Sequence, residues 1–273
     1  MKESLTIVDK KCFFLLLMLV LQMHAEDLRI VSLSPAIDNY LASLGKTEYI
    51  VGTTSHSTVE DAQVVGDVLS LNVETVLRLQ PDYILTTPIT PQNKRTLLEQ
   101  AGATVHVFDT PRSFSDLCRQ YIAVASLVGD SLSAEKLCDS LLAQTDSLNK
   151  VSATHDGPTV FFQIGKDPLF TITQHSFIHD YLSLCGAKNI AADAVRGNYS
   201  METLYRHNPD VIIATTMGQS QEKIRQYWQD HPSLKAVATD NVFIMDADSV
   251  CSPSPPMFMD VLFRINRILE THQ

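Results

Sequence analysis

Two stretches of this sequence repeat one another. Residues 72–87 read NVETVLRLQPDYILTT, and residues 200–216 read SMETLYRHNPDVIIATT. Both carry Glu-Thr, Arg and Pro-Asp at the same offsets, and both then enter an apolar run that ends in a Thr-Thr pair. A residue typical of a helix N-cap precedes each Glu, and the apolar run is typical of a strand. A helix and a strand repeated in both halves of the chain predict two related lobes with pseudo-twofold placement.

The segments around these stretches alternate between strand and helix patterns. In the first half, apolar runs at 29–33, 49–52 and 104–108 are separated by helical segments. In the second half the same alternation involves apolar runs at 159–164 and 242–245. Strands that alternate with helices predict a mostly parallel sheet with flanking helices in each half.

The middle of the chain has a helical pattern instead of the alternation of strands and helices. Residues 113–152 are helical by pattern, and the part from 131 to about 151 would be roughly 30 Å long as a helix. We therefore expect an α/β fold of two Rossmann-like lobes, each a mostly parallel sheet with flanking helices, joined by one long rigid interlobe helix. The expected boundaries are 1–25 for a signal peptide, 26–130 for the N-terminal lobe, 131–155 for the interlobe helix and 156–273 for the C-terminal lobe.

The first 25 residues have the pattern of a secretory signal. Lys2, Lys10 and Lys11 precede the apolar run 12–21, and Ala25 offers a small residue for cleavage. The run is too short for a membrane-spanning helix, which needs about 20 apolar residues. Cys12 lies before the run, whereas a lipid anchor would need a Cys after it. The sequence therefore predicts a cleaved leader and release into the periplasm.

The composition narrows the class of protein. The chain has 273 residues, 45% of them hydrophobic, and a formal net charge of −10. An acidic chain without a long Lys/Arg block is a poor match for nucleic-acid phosphates, so we expect no nucleic-acid partner. We also expect at most one disulfide after export, because four cysteines in so long a chain are not a disulfide scaffold. Those four are Cys118, Cys138, Cys185 and Cys251.

Glu74 and Glu202 occupy equivalent places in the two repeated stretches. Each falls in the first turn of a predicted helix, where a carboxylate stabilises the helix dipole by about 0.3–1 kcal/mol. That local role is sufficient to explain either residue alone. A matched pair on two lobes is also what docking onto a symmetric partner requires.

Several blocks of the sequence resemble the class III periplasmic substrate-binding proteins of ABC importers. They read VSLSPA at 31–36, LRLQPDYIL at 77–85, FFQIG at 161–165, LCGAKNI at 184–190 and QYW at 226–228. The resemblance runs from about residue 29 to the C-terminus and is strongest to the cobalamin-binding members.

The resemblance implies a monomer with no intrinsic cofactor, whose lobes clamp a metal chelate. A corrinoid is the expected chelate, and a ferric siderophore or haem is the alternative within the same class. The implied partner is an ABC permease dimer with its ATPase subunits. In this family one Glu at each lobe tip engages arginines of the permease, and Glu74 and Glu202 match those positions.

The resemblance also assigns a ligand cleft. Aligned without gaps, a cleft tyrosine of the cobalamin-binding members corresponds to His56, and three tryptophans correspond to Val68, Thr87 and Arg196. The aromatic lining is thus mostly replaced. A neutral imidazole at His56 would ligate cobalt or iron, and the alternative is an ordinary loop histidine. The expected ligand-binding residues are Pro35, Ala36, His56, Val68, Thr87, Ile164, Phe170, Arg196, Asp248 and Ser252.

Enzyme signatures are missing from the sequence. It contains no GxSxG, HExxH, P-loop or GxGxxG motif, so we expect no catalytic activity. Asp246 and Asp248, two positions apart on a predicted strand end, keep an exported metal-dependent hydrolase as the alternative from another class. His175 and His179 have the spacing of a helical metal-binding pair, but a structural or solvated role is favoured.

Overall fold

The computed structural model describes residues 28–152, 154 and 156–271. The expected signal peptide lies outside the described residues. Within this part of the chain there are two five-stranded sheets, one in each half. None of the helices in these ranges combines the length and the hydropathy of a membrane span.

The first sheet is entirely parallel. Its strands are β1 (Ile30–Ser32), β2 (Ile50–Thr53), β3 (Gln63–Val64), β4 (Tyr83–Thr86) and β5 (Val105–Val107). They lie in the order β3-β2-β1-β4-β5, in which the direction of winding reverses next to β1. The helices of this lobe are α1 (Pro35–Ser43), α2 (Val73–Arg78), α3 (Gln92–Gln100) and α4 (Phe114–Leu127).

The long helix α5 (Ser131–Ser152) leads to the second lobe. The second sheet contains β6 (Thr159–Gly165), β7 (Phe170–Thr171), β8 (Lys188–Asn189), β9 (Val211–Thr215) and β10 (Val242–Met245). These strands lie in the order β10-β9-β6-β7, with β8 also paired to β6, and only β7 is antiparallel to its neighbour. The helices are α6 (Asp180–Ser183), α7 (Met201–His207), α8 (Gln221–Gln229), α9 (Lys235–Ala238), α10 (Ala247–Cys251) and α11 (Pro255–Glu270).

The expected α/β class with two mostly parallel sheets is confirmed. The structure adds the two-residue strands β3, β7 and β8, which are too short to show a periodic pattern. The strand predicted at 242–245 is confirmed as β10, which ends at Met245, so Asp246 and Asp248 lie where the chain turns into α10. Asp246 caps this helix by accepting hydrogen bonds from Ser249 N and Oγ, each at 2.9 Å.

His175 and His179 do not share a helix face. His179 ends a short 3-10 helix, Phe177–His179, and its Nδ1 lies 3.2 Å from Asn189 Nδ2. His175 belongs to the preceding turn. The expectation of a structural or solvated role agrees with these positions.

The repeated stretches fold into the same helix and strand. Asn72 caps α2 by accepting a hydrogen bond from Thr75 N at 3.0 Å, and Ser200 caps α7 by accepting one from Thr203 N at 3.1 Å. Six residues after its Glu, each stretch places a residue with positive φ. These matched residues are Gln80, with φ of 47°, and Asn208, with φ of 43°.

The aspartate of each Pro-Asp step ties the repeat to the first strand of its own lobe. Asp82 Oδ2 accepts a hydrogen bond from Arg29 N, and Asp210 Oδ2 accepts one from Thr159 N, each at 2.8 Å. Matched caps, matched backbone conformation and matched carboxylate contacts all agree with two related lobes.

Asp210 should make the stability of the second lobe depend on pH in the acid range. Burial raises the pKa of its carboxyl, but hydrogen bonds from Lys235 and Thr159 outweigh burial and lower the pKa to about 2. Since the folded pKa lies below the unfolded value of about 3.9, this stabilisation is complete above about pH 4 and is lost as the pH falls toward about 2. Chemical denaturation of the wild type and Asp210→Asn across this range should show a difference in unfolding free energy that shrinks with acid.

The variant Lys235→Met sharpens that experiment. It removes the ammonium that lies 2.6 Å from Asp210 Oδ1 and leaves the carboxyl in place. The stabilisation by Asp210 should then be smaller and should be completely lost at a higher pH, because the folded pKa moves toward the unfolded value. A difference between wild type and Asp210→Asn that stays constant down to pH 2 would contradict the account.

The two lobes share one continuous core. The buried cluster that contains Ile30 and Leu85 of the first sheet also contains Val160 and Val211 of the second. At the junction the Phe258 ring of α11 stacks on Phe114 of α4 at 4.2 Å and on Tyr181 of α6 at 4.3 Å between centroids. The lobes therefore meet through packed aromatic rings rather than through a flexible linker.

Two hydrogen bonds also cross the junction. Asn39 Nδ2 donates to Ser252 O at 2.8 Å, and Phe114 N donates to Asp180 Oδ2 at 2.7 Å. Large changes in the angle between the lobes would break these bonds as well as the ring contacts. Motion at this junction is therefore expected to be a small hinge.

Candidate functional site

A cavity of about 200 Å³ lies between the two lobes. The N-terminal lobe lines it with the start of α1 and with the segments that follow β4 and β5. The C-terminal lobe contributes Phe177 and residues 251–253 at the end of α10. In doubly wound α/β folds, ligands bind in the crevice beyond the carboxyl ends of the strands, and this cavity occupies that position.

Four of the ten expected ligand-binding residues line this cavity. Pro35 is the first residue of α1, where its fixed φ favours the helix start, and Ala36 follows it. Thr87 comes directly after β4, and Ser252 comes directly after α10. The structure thus brings residues of both lobes to one cavity. The two that are farthest apart in the chain, Pro35 and Ser252, are separated by 217 positions.

His56 and Val68 lie in neighbouring loops of the first lobe. His56 Nε2 is 3.0 Å from Asp67 Oδ2, and the imidazole is 67% exposed. The Leu69 N–H and then the His56 contact lower the pKa of the Asp67 carboxyl. The other ring nitrogen of His56, Nδ1, makes no hydrogen bond with the described residues.

Phe170 and Arg196 lie together in the second lobe. The Phe170 ring is 42% exposed and lies against Gly197, where any side chain would clash with it. Thr171 N donates to Gly197 O at 2.7 Å, which holds the segment after Arg196 against β7. Arg196 is exposed beside this contact.

Ile164 and Asp248 lie on two different elements of the second lobe, β6 and α10. Ile164 is half-buried in β6, and its carbonyl accepts a hydrogen bond from Thr215 Oγ1 at 3.0 Å. Asp248 is exposed on α10, and its carbonyl accepts the Ser252 N–H at 3.1 Å. With His56, Val68, Phe170 and Arg196, these two lie outside the lining of the interlobe cavity.

Sequence reasoning missed several residues that line the cavity. Asp109, Thr110 and Pro111 follow β5, and Gln120 lies on α4. These four also border a larger, open cavity of about 700 Å³, which extends past Arg112, Arg119 and His175. The available signal was the placement of 109–111 directly after a strand, since parallel strands present such loops at one edge of the sheet.

Burial raises the pKa of two ionisable groups on the elements that line the cavity. Burial raises the pKa of the Cys251 thiol to about 12, and Asp248 and Asp246 act in the same direction. A protonated thiol is a poor metal ligand, so Cys251 fills space in the cavity wall rather than coordinating a metal. Burial also raises the pKa of Asp38 on α1, although hydroxyls of Ser32, Ser57 and Thr53 oppose it.

Glu74 and Glu202 lie on exposed, equivalent surfaces of α2 and α7. Glu74 is 83% exposed and pairs with Arg78 at 2.7 Å, while Glu202 is 85% exposed and pairs with Arg206 at 3.0 Å. Exposed i,i+4 pairs contribute only about 0.3–0.5 kcal/mol. Each carboxylate is therefore free to exchange its own arginine for a cation on another protein.

Ranges 28–152 and 156–271 contain no group of three or more His, Cys, Asp or Glu side chains arranged to hold a metal ion.

The relatives that match most of the chain include the following two. An uncharacterized ABC transporter substrate-binding lipoprotein of Bacillus subtilis is 28% identical over 251 residues, which cover 86% of this chain and 78% of the relative. The vitamin B12-binding protein of Vibrio cholerae is 24% identical over 234 residues, which cover 83% of this chain and 84% of that protein.

The same fold occurs in a solved structure. The crystal structure of a periplasmic heme binding protein of Vibrio cholerae matches with a TM-score of 0.78 at 19% identity, covering 89% of this chain and 99% of that one. The sequence profile of the periplasmic binding proteins matches residues 30–249, a range that includes every strand of both sheets. The chain is therefore a member of the periplasmic binding protein family.

Proposed function

We propose that this protein is the substrate-binding component of an ABC importer, which captures a metal chelate between its lobes and delivers it to a permease dimer with its ATPase subunits. The observation that carries the proposal is the interlobe cavity, where Pro35, Ala36, Thr87 and Ser252 meet beyond the strand ends. Family membership and the names of both relatives support the same role.

The chelate that we propose is a corrinoid, with haem or a ferric siderophore as the alternative. The vitamin B12-binding relative supports the corrinoid, and the heme-binding structure of the same fold supports the alternative. The cavity of about 200 Å³ shares four lining residues with the open cavity of about 700 Å³, a volume within the roughly 300–1,000 Å³ of typical ligand sites. Binding buries apolar faces of the ligand at about 25 cal/mol per Å², less the cost of immobilising it.

His56 lies outside the lining of the interlobe cavity, and we propose it as an axial ligand of the metal in a chelate that extends from the cavity to the loop after β2. Histidines that bind metals usually pair one ring nitrogen with a carboxylate, which fixes the ring and leaves the other nitrogen for the metal. The contact between His56 Nε2 and Asp67 Oδ2 has this arrangement and leaves Nδ1 for cobalt or iron.

Export and lobe division complete the proposal. Residues 1–25 act as a cleaved leader that delivers a soluble monomer to the periplasm. Residues 26–130 and 156–273 form the two lobes, and 131–155 the connection between them. The α5 helix, at Ser131–Ser152, supports this division.

Calorimetric titration of the exported protein with cyanocobalamin, cobinamide, haemin and a ferric siderophore tests the ligand. We expect tight one-to-one binding of a corrinoid. Binding of haemin or the siderophore instead would keep the importer role and replace the corrinoid. The absence of binding to all four compounds would contradict chelate binding.

The variant His56→Ala tests the axial ligand in the same samples. We expect it to change the visible spectrum of the bound cobalt or iron complex, because an axial nitrogen is lost. The control is Val68→Ala, which alters the adjacent loop without removing a metal-binding nitrogen. An unchanged spectrum in His56→Ala would remove the ligand role.

A further inference from the structure

Two of the four cysteines face each other between α4 and α5. Cys118 on α4 is 2% exposed, and Cys138 on α5 is 1% exposed. Cys138 Sγ lies 3.8 Å from the carbonyl oxygen of Cys118, 20 positions away in the chain. Cys118 and Cys138 also influence each other electrostatically, which lowers the pKa of Cys138 and raises that of Cys118.

The other two cysteines have different neighbours. Cys185 Sγ lies 3.9 Å from Leu262 O in the core of the second lobe, and Cys251 lines the interlobe cavity. Among the described residues, neither of these two thiols is hydrogen-bonded to another cysteine. Of the pairings open to four cysteines, the structure favours that of Cys118 with Cys138, whose residues are in contact.

We propose that Cys118 and Cys138 form a disulfide when the protein folds outside the cytoplasm, and that this bond fastens the first lobe to the long helix. Cys138 Sγ already lies against the backbone of Cys118, so rotation of the two side chains can bring their sulfurs to the S–S bond of about 2.05 Å. The compartment rests on the proposed export, since disulfides persist in oxidising surroundings. Cys118, Cys138, Cys185 and Cys251 are free thiols in the structure.

The oxidant is a disulfide of low molecular weight or of an oxidoreductase. With oxidised glutathione, the Cys138 thiolate attacks one sulfur, forms a mixed disulfide and releases one glutathione thiolate. The Cys118 thiolate then attacks the Cys138 sulfur and releases the second glutathione. The two cysteines lose two protons and two electrons, and the glutathione disulfide gains the two electrons. Since both thiols are buried, the exchange precedes the final packing of α4 against α5.

The disulfide would strengthen the junction between the two lobes. Helix α4 carries Phe114, which stacks on Phe258 of α11, so a link between α4 and α5 connects the aromatic junction to the interlobe helix. A cross-link over a loop of this size should raise the melting temperature by roughly 5–10 °C for a protein of this length.

Refolding of the exported protein tests the pairing directly. The protein is unfolded in guanidinium with dithiothreitol, refolded in a glutathione redox buffer, and treated with iodoacetamide under denaturing conditions. Peptide mass mapping should find the peptides of Cys118 and Cys138 linked, with Cys185 and Cys251 alkylated. Four alkylated cysteines, or a link that involves Cys185 or Cys251, would overturn the proposal.

Two matched double variants connect the bond to stability. In Cys185→Ser/Cys251→Ser, dithiothreitol should lower the melting temperature by the same roughly 5–10 °C as in the wild type. In Cys118→Ser/Cys138→Ser the reductant should have no effect. If the second variant does not fold, the intact mass of the first still decides, because only Cys118 and Cys138 can then account for a loss of two hydrogens among the described cysteines. Chelate titration is not used, so failure here leaves the importer proposal standing.

Discussion

Import of the chelate should stop when Glu74 and Glu202 are both replaced by alanine, while the affinity for the chelate stays unchanged. The two carboxylates lie at matched positions on α2 and α7, and both are more than four-fifths exposed. Losing one side of a buried interfacial charge pair costs about 2–5 kcal/mol. Two such losses weaken docking onto the permease by about 1,000-fold or more. Uptake of labelled chelate in cells that express the variant, together with calorimetry of the purified protein, measures both quantities.

The chain provides a matched control for this prediction. Glu222 also lies in the first turn of a helix capped by a serine, since Ser220 Oγ accepts from Lys223 N at the start of α8. Glu222→Ala removes the same helix-dipole interaction without touching either repeated stretch. It should leave uptake intact. Weaker chelate binding in Glu74→Ala/Glu202→Ala, or equal loss of uptake in Glu222→Ala, would count against docking through this pair.

The repeat could be predicted because its determinants are local. The caps at Asn72 and Ser200 and the aspartates of both Pro-Asp steps interact within a helix or with the neighbouring strand, so their chemistry leaves a pattern in the sequence. The doubly wound order of the first sheet follows from the alternation of strands and helices together with the usual handedness of their connections.

The cavity could be predicted only in part. Pro35, Ala36, Thr87 and Ser252 were expected from the family resemblance, and the structure places them on one cavity. Gln120 and Phe177 also line it, yet neither has a local signal. Their proximity depends on how α4 packs against the second lobe, a tertiary contact that no short window of sequence encodes. For the same reason, the stacked rings at the junction could not be predicted from the sequence.

Truncating one of those rings, in Phe258→Ala, should lower the free energy of unfolding by about 3–5 kcal/mol. The Phe258 side chain is fully buried and stacks on both Phe114 and Tyr181. Its removal leaves a cavity at the point where the two lobes meet, and both neighbouring rings lose a partner. Guanidinium denaturation followed by circular dichroism measures the loss.

Phe263 on the same helix is the matched control, because it is 42% exposed. Phe263→Ala removes the same number of atoms from α11 with the same change in helix propensity, so it should alter the unfolding free energy by no more than about 0.5 kcal/mol. Phe258→Leu keeps most of the buried volume and should fall between the two. If Phe258→Ala costs no more than Phe263→Ala, the stacked rings do not hold the lobes together. The shared core around Ile30 and Val160 would then be what fixes the geometry of the cleft.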